Sequence, residues 1–440
     1  MTANRFKFHT DDLANSILSK VGTHDVQLFG TTKIDGTAHI GNTVADQVQR
    51  LSANTSTVAF DLLAIALAVT AADSFTPREK NAQNGWARTF ELNIPLAKPV
   101  VWQPAQAKLE KLLNFLSGDN WSLTLRGGGR NCPAAVQTNK KRKANLAGVT
   151  SVSLFSGGLD SWIGVNELLR DGEVPILISH AYTGDKGYQD RLFETFSKRA
   201  ERFAVNASPM RRFKGNDTTM RTRSFNFIAF AAVAAEAIAQ LNSTNSRVPI
   251  YVPENGFIAL NAPLTSRRVG SLSTRTTHPH YLQQMQDIFD LVGIRAEIRN
   301  PYRHSTKGRM LKDFGLNTQD AATAMDTVSC GKWKRKNKQC GHCVPCVIRR
   351  AAFFAAGVDD TTEYSYSLHQ VMNSDNIHLK DDLMSMAYAV QQKSDAELKI
   401  LAMSSGPLPL DLGERDGWFD VHKKGLYEVA NYLRSEKIIS

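Results

Sequence analysis

The short apolar run from Val149 to Phe155 reads as a buried strand. It stops at Gly157-Gly158, and from Ser161 to Arg170 the apolar residues Trp162, Val165, Leu168 and Leu169 recur at helical spacing. The same alternation of strand and helix continues to about Asp360. Val174–Ala181, Val248–Val252 and Arg295–Asn300 read as strands; Gln189–Phe203 and the Ala-rich stretch Thr222–Leu241 read as helices. Such alternation predicts an α/β domain, a parallel sheet with helices on both faces, over residues 147–360. Upstream, residues 1–146 read as a smaller α+β domain. Its predicted strands are Val26–Phe29, Thr37–Ile40, Thr89–Ile94 and Trp121–Leu125, and its helices Thr57–Ala72 and Gln106–Leu116. The tract Arg126-Gly127-Gly128-Gly129-Arg130, Pro133 and the basic run through Lys143 mark a linker between the two. Downstream, 361–440 reads as a helical extension, Leu379–Ala402 and Asp420–Leu433, broken at Ser405–Leu412. It is expected to be packing material or a docking surface.

Composition changes this picture little. A chain of 440 residues, 42% hydrophobic and 22% charged, is expected to form two or three domains of a globular protein. No signal peptide or membrane span is expected, which points to the cytoplasm. The most apolar segments, Val58–Ala72 and Phe225–Leu241, are short and carry Asp61 and Glu236, so they read as buried helices. The net charge of +11 suits a phosphate-rich ligand or nucleic acid without choosing between them. Its clusters, Lys140–Lys143 and Lys332–Lys338, read first as solvated loops, so a nucleic-acid partner is not expected.

Chemistry concentrates in two places. Ser156-Gly157-Gly158-Leu159-Asp160-Ser161 joins a strand to a helix N-terminus, an anion-binding arrangement in which glycines admit a phosphate close to the backbone. Ser156 and Ser161 add hydroxyls, and Asp160 a carboxylate suited to Mg²⁺ beside a polyphosphate. Neither the Walker spacing nor the dinucleotide G-x-G-x-x-G is present. The second place holds four of the five cysteines: Cys330, then Cys340, Cys343 and Cys346. This is metal spacing rather than a disulfide framework. Zn²⁺ is the first reading and an iron–sulfur cluster the second, with His342 as an exposed bystander. A shell of four sulfurs has no open position, so the metal would hold structure and not catalyse.

The six-residue loop resembles that of the PP-loop ATP pyrophosphatases, which cut ATP between the α and β phosphates. Loop and cysteines together resemble 7-cyano-7-deazaguanine synthase, QueC. Thr327-Val328-Ser329-Cys330 and the stretch Cys340-Gly341-His342-Cys343-Val344-Pro345-Cys346-Val347-Ile348-Arg349-Arg350 match that family's zinc segment nearly throughout, and the likeness covers about 148–357. The resemblance implies an adenine nucleotide alpha hydrolase-like fold, with ATP held by Ser156, Gly157, Gly158, Leu159, Asp160 and Ser161. It implies catalytic roles for Asp160, Lys307 and Arg223, and zinc on the four cysteines. Departures at His180–Gly184, at Glu254-Asn255-Gly256 through His278-Pro279, and at both ends are similar to the QueC-like subgroup of bacterial antiphage operons, the QatC proteins of the Qat system.

That likeness implies adenylation of a deazapurine carboxylate, such as 7-carboxy-7-deazaguanine, and its transfer to an amine. The expected acceptor is the N-terminus of a partner protein from the same operon. The alternatives are a nitrile synthase using ammonia, a tRNA-modifying sulfur transferase for which only Cys132 is spare, and a nucleotide-bound scaffold. Loops at 156–161, 182–188, 254–277 and 301–307 should line one crevice beyond the strand ends. Arg267, Arg268 and Arg275 are candidates for anion contacts there, and His278 reads as a loop-ordering residue before a base.

Overall fold

The computed structural model describes residues 3–10, 21–30, 37–82, 86–136, 143–180, 186–210, 221–264, 275–333, 338–391 and 393–440. Ten strands among them form two five-stranded sheets. The first comprises β1 (Asn4–His9), β2 (Thr23–Leu28), β3 (Ala38–Ile40), β4 (Thr89–Pro95) and β5 (Asn120–Arg126), in the order β3-β2-β1-β4-β5. Every pairing in it is parallel, so the unit expected to be α+β is α/β as well. A period-two pattern marks a half-buried strand but carries no sign of direction. β1 escaped the sequence reading because Phe6 and Phe8, both buried, alternate with Arg5 and Lys7 in a polar stretch.

The second sheet comprises β6 (Ser151–Leu154), β7 (Pro175–His180), β8 (Glu201–Val205), β9 (Val248–Tyr251) and β10 (Ala296–Arg299), ordered β10-β9-β6-β7-β8 and again parallel. From β6 the chain winds outward through β7 to β8, then returns to place β9 on the other side of β6. The switch point therefore lies between β6 and β9, where open parallel sheets leave a crevice. The helix expected over Gln189–Phe203 ends at Glu194, and Glu201–Val205 is an edge strand with Phe203 and Val205 turned inward.

The labelled helices are α1 (Thr57–Phe75), α2 (Gln106–Ser117), α3 (Leu159–Arg170), α4 (Lys186–Glu194), α5 (Arg223–Leu241), α6 (Gly256–Leu260), α7 (Pro279–Val292), α8 (Lys307–Phe314), α9 (Val344–Ala356), α10 (Ile377–Ala389), α11 (Asp395–Met403) and α12 (Leu412–Ser435). α1 lies on the first sheet, α5 on the second, and the two pack on each other, so one hydrophobic core runs through both sheets. Both helices have 19 residues and are apolar enough to cross a membrane, yet 89% and 83% of their apolar windows are buried here. Their acidic residues are matched. Asp61 accepts from the backbone N–H groups of Ala97 (2.8 Å) and Lys98 (2.9 Å), and Glu236 pairs with Arg295 at 2.8 Å.

The helical tail divides more finely than its apolar pattern suggests. The stretch Leu379–Ala402 breaks before Ser394, whose hydroxyl caps α11 in a capping box with Glu397. α12 begins well before Asp420, at a cap where Asp411 accepts from the Glu414 N–H. It packs across α6 and α9, and its residues share a core with both.

Candidate functional site

β6 ends at Leu154, and the Phe155 N–H still donates to the Ile178 carbonyl (2.7 Å), so the following loop leaves the sheet at a fixed place. Gly157 has φ +79°, and a Cβ there would lie 2.5 Å from the Tyr188 ring. Only glycine fits both the left-handed backbone and the packing. Gly158 is the N-cap of α3 and offers no side chain, so the first amides of the helix receive no cap from within. Around that end the Ser156 and Ser161 hydroxyls lie 3.2 Å apart. Ser161 donates to the Gly158 carbonyl (2.9 Å), and the Gly158 N–H donates to Ser156 Oγ (3.2 Å). An open helix N-terminus with two hydroxyls beside it is built to receive an anion.

Beneath the loop sits a buried polar centre. The Lys307 ammonium, first residue of α8, bonds Asp160 Oδ1; the side chains are 4% and 6% exposed. Asp160 Oδ2 accepts from Asn255 twice, from the backbone N–H at 3.1 Å and from Nδ2 at 2.6 Å. Asn255 in turn caps α6, its Oδ1 accepting from Ile258. Burial alone would raise Asp160, but the Lys307 charge, with hydrogen bonds from Glu254, Lys307 and Asn255, reverses this and leaves it below the ordinary carboxylate range. Glu254 goes the other way. Burial first, then the neighbouring Asp160 charge, lifts its pKa well above the usual value, so it keeps a proton to share with Asp160. With both oxygens engaged, the Asp160 carboxylate faces Lys307 rather than an open cation position.

The sequence-picked residues thus divide. Asp160 and Lys307 meet directly. Arg223, first residue of α5, donates to the His180 carbonyl (2.8 Å) at the carboxyl end of β7, on the same edge as the loop. Arg275 is spoken for elsewhere: it donates to the Phe115 carbonyl (2.9 Å) and stacks on that ring at 4.5 Å. His278 orders its loop, as read. It is buried, caps α7 through the His280 N–H (3.2 Å), faces Ser405 Oγ at 3.0 Å, and is pushed by burial to a pKa of about 3. Arg267, Arg268, Lys140, Lys141, Arg142 and the 182–185 stretch lie outside the described residues. Lys332 and Lys338, ends of the second basic cluster, pair with Asp382 (3.0 Å) and Glu363 (2.9 Å). Glu254 and Asn255 were seen in the sequence only as part of a crevice loop. Their one signal was position, directly after the strand that borders β6.

Cys330, Cys340, Cys343 and Cys346 are all buried, and their sulfurs lie within 4.8 Å of one another. The pairs Cys340–Cys346 and Cys330–Cys343 stand at 3.9 Å. A tetrahedron with Zn–S bonds of about 2.3 Å has sulfurs about 3.8 Å apart, so the set fits one such ion. An iron–sulfur cluster spreads its four thiolates over two or four irons and needs a wider frame. Backbone N–H groups of Lys332, Cys340 and Cys343 point at sulfur, each at 3.3 Å, as thiolates require. His342 is buried against Tyr366 rather than exposed as expected, because the turn folds under Tyr364–Tyr366. The segment also braces the loop, for the Val328 N–H donates to the Gly157 carbonyl at 3.0 Å.

Among known proteins the chain has relatives by sequence. The chain is 24% identical over 246 residues to 7-cyano-7-deazaguanine synthase 1 of Sphingopyxis alaskensis, covering 50% of this chain and 100% of that protein. It is 25% identical over 239 residues to the 7-cyano-7-deazaguanine synthase of Paramagnetospirillum magneticum, covering 49% and 98%. The chain is QueC-like. A shorter match to the Brucella ovis synthase reaches 42% identity over 64 residues, 14% of this chain and 25% of that one. No family model and no solved structure matches. Half of this QueC-like chain therefore lies outside the alignment to relatives that are themselves matched almost end to end.

Proposed function

We propose that the protein is an ATP-dependent ligase that activates the carboxylate of a 7-deazaguanine, such as 7-carboxy-7-deazaguanine, and joins it to an amine. The acceptor in this reading is the N-terminus of a partner protein from the same antiphage operon. The substrate class rests on the relatives' names. A nitrile carbon has the oxidation level of a carboxylic acid, so a synthase of a cyano-deazaguanine works naturally from acid and amine nitrogen. An acid does not react with an amine while its charge is delocalised. Attack of the carboxylate on the α-phosphate of ATP forms an acyl–O–P bond and breaks the bond to pyrophosphate; the amine then forms the amide and AMP leaves.

The observation that carries this reading is the open N-terminus of α3 between Ser156 and Ser161, with the Asp160–Lys307 pair fixed beneath it. Loop amides and hydroxyls would hold phosphate oxygens. Lys307 and Arg223 would balance charge as it develops, which is positioning and electrostatics without a covalent enzyme intermediate. Mg²⁺ bound with the polyphosphate would add further charge neutralisation. An α-amine with an ordinary pKa of about 7.7–8.0 is substantially neutral near pH 7.5, which suits the second step.

The product in the relatives' names favours a second reading, a nitrile synthase taking nitrogen from ammonia. Sulfur transfer is less well supported. The spare Cys132 packs against the core of the first sheet, and burial pushes its thiol up to about 11, the wrong direction for a nucleophile. Incubation with ATP, Mg²⁺, 7-carboxy-7-deazaguanine and each co-encoded protein, read by intact mass and AMP formation, tests the proposal. Acyl mass on a partner's N-terminus is the expected result. AMP with only free amide or nitrile favours the ammonia reading, and no AMP from ATP sinks both.

A further inference from the structure

The C-terminal helix α12 carries two glycines in its interior, Gly417 and Gly425, where glycine is a poor helix former. They lie on one face with Val421, and that face touches the loops beside the candidate site. A Cβ on Gly417 would fall 2.7 Å from the His304 ring, and one on Gly425 2.3 Å from the Phe257 ring. Gly256, just after Asn255, is equally tight: a Cβ there would meet the Arg303 carbonyl at 2.0 Å and Val421 Cγ1 at 3.0 Å. The approach begins at the Arg303–Glu414 ion pair (2.9 Å).

One turn beyond Gly425, Glu428 reaches the N-terminus of α8. One carboxylate oxygen accepts from the Thr306 hydroxyl and the other from the Gly308 N–H at 3.3 Å. These residues flank Lys307 on either side. An anion at a helix N-terminus is favourably placed, and here it also fixes the one turn from which the Lys307 ammonium reaches Asp160. A Cβ on Gly308 would lie 2.7 Å from Glu428 Oε1, so the glycine exists to let the carboxylate in.

We infer that α12 belongs to the catalytic apparatus as a brace, and that Glu428 is the positioning residue that sets Lys307. This rests on the ATP-activating reading for its functional meaning, and on the geometry alone for the placement of the lysine.

Two measurements test it on the full-length protein. In acetylation footprinting with an amine-reactive ester, Lys307 should be protected in the wild type and label about tenfold faster in Glu428→Ala. In AMP formation, Glu428→Ala should lose about tenfold to a hundredfold in kcat with little change in KM for ATP, since displacement of a charged group by about 1 Å has effects of this size. Glu428→Gln, which keeps the shape and one acceptor, should recover part of both. Gly308→Ala should mimic the loss, and its effect should be absorbed in the Gly308→Ala/Glu428→Ala double variant. Asp420→Asn, on the exposed side of the same helix, should change neither readout.

Unchanged Lys307 labelling in Glu428→Ala and in Gly308→Ala overturns the inference whatever the activity. So does normal kcat in Glu428→Ala when Lys307→Ala is inactive, or a loss that Glu428→Gln does not ease and that only follows the melting temperature. A wild type that makes no AMP refutes the ATP reading instead, and the footprint still decides whether Glu428 holds the lysine.

Discussion

Replacing Lys307 by Met removes an ammonium from beneath the loop and leaves the buried Asp160 carboxylate with fewer partners. Two unit charges at about 3 Å attract by about 5–6 kcal/mol at an effective dielectric constant of about 20. The two donors from Asn255, at 3.1 and 2.6 Å, stay in place and keep part of the stabilisation of Asp160. The expected net cost of Lys307→Met is therefore about 3–5 kcal/mol, the range for breaking one side of a buried pair. The double variant Asp160→Asn/Lys307→Met leaves no orphaned charge and should recover most of this, to within about 1–2 kcal/mol of the wild type. Urea denaturation at pH 7 followed by tryptophan fluorescence measures both, with Trp162 buried in α3 as a local reporter. The penalty should shrink on acidification, because an unpaired Asp160 can take up a proton. A double variant no more stable than the single one would refute the buried ion pair. Stability and chemistry separate in this design: the double variant should be folded, hold its metal and make no AMP, and near-normal AMP formation would refute the role of Lys307.

Two further outcomes are expected. Glu254 has a raised folded pKa, so above the ordinary glutamate value of about 4.3 the native state holds a proton the unfolded chain has released, and stability from this group falls as pH rises. Glu254→Gln removes that proton exchange, and its denaturation midpoint should fall less steeply than the wild type's between about pH 5 and about pH 8; parallel profiles would count against it. Cys343→Ser should lower bound zinc, read by atomic emission, together with the melting temperature, at a cost on the order of several kcal/mol. Metal loss without any drop in stability would show that the thiolate set contributes nothing to folding.

What the sequence made legible depended on how far apart cooperating residues lie. The phosphate-type loop was readable because its six residues are contiguous and sit between a strand and a helix. The cysteines were readable because three of the four share one tight turn. Lys307 carried no local signal and was reached only through the likeness to QueC. Glu254, Asn255 and Glu428 went unassigned for the same physical reason: their partners are 95 residues distant for Asn255 and Asp160, and 120 for Glu428 and Gly308. Direction within the first sheet was hidden too, because alternation in β4 and β5 is the same for parallel and antiparallel neighbours. The edge strand β8 was absorbed into a helix because Phe193, Phe196, Ala200 and Phe203 happen to recur at helical intervals.

The first sheet contributes none of the candidate-site residues named above, yet its packing bears on how they are held. Arg223 stands at the head of α5, and the orientation of that helix decides where the guanidinium lies. α5 is held against α1 by more than apolar contact. The Thr222 hydroxyl donates to Asp73 at 2.7 Å, Asn226 donates to Thr70, and Thr55 donates to the Val233 carbonyl at 2.8 Å. Asp73 is itself fixed by the buried Arg88, which also binds Asp119 at 2.8 Å. Asn226 Oδ1 is buried without a hydrogen-bond partner, so the rigidity of this network rests on the Arg88, Asp73, Asp119 and Thr222 bonds, which leave few alternative arrangements. The first unit thus holds α5, while α12 holds α8. Arg223 and Lys307 each stand at the head of a helix that is held by residues far away in the sequence.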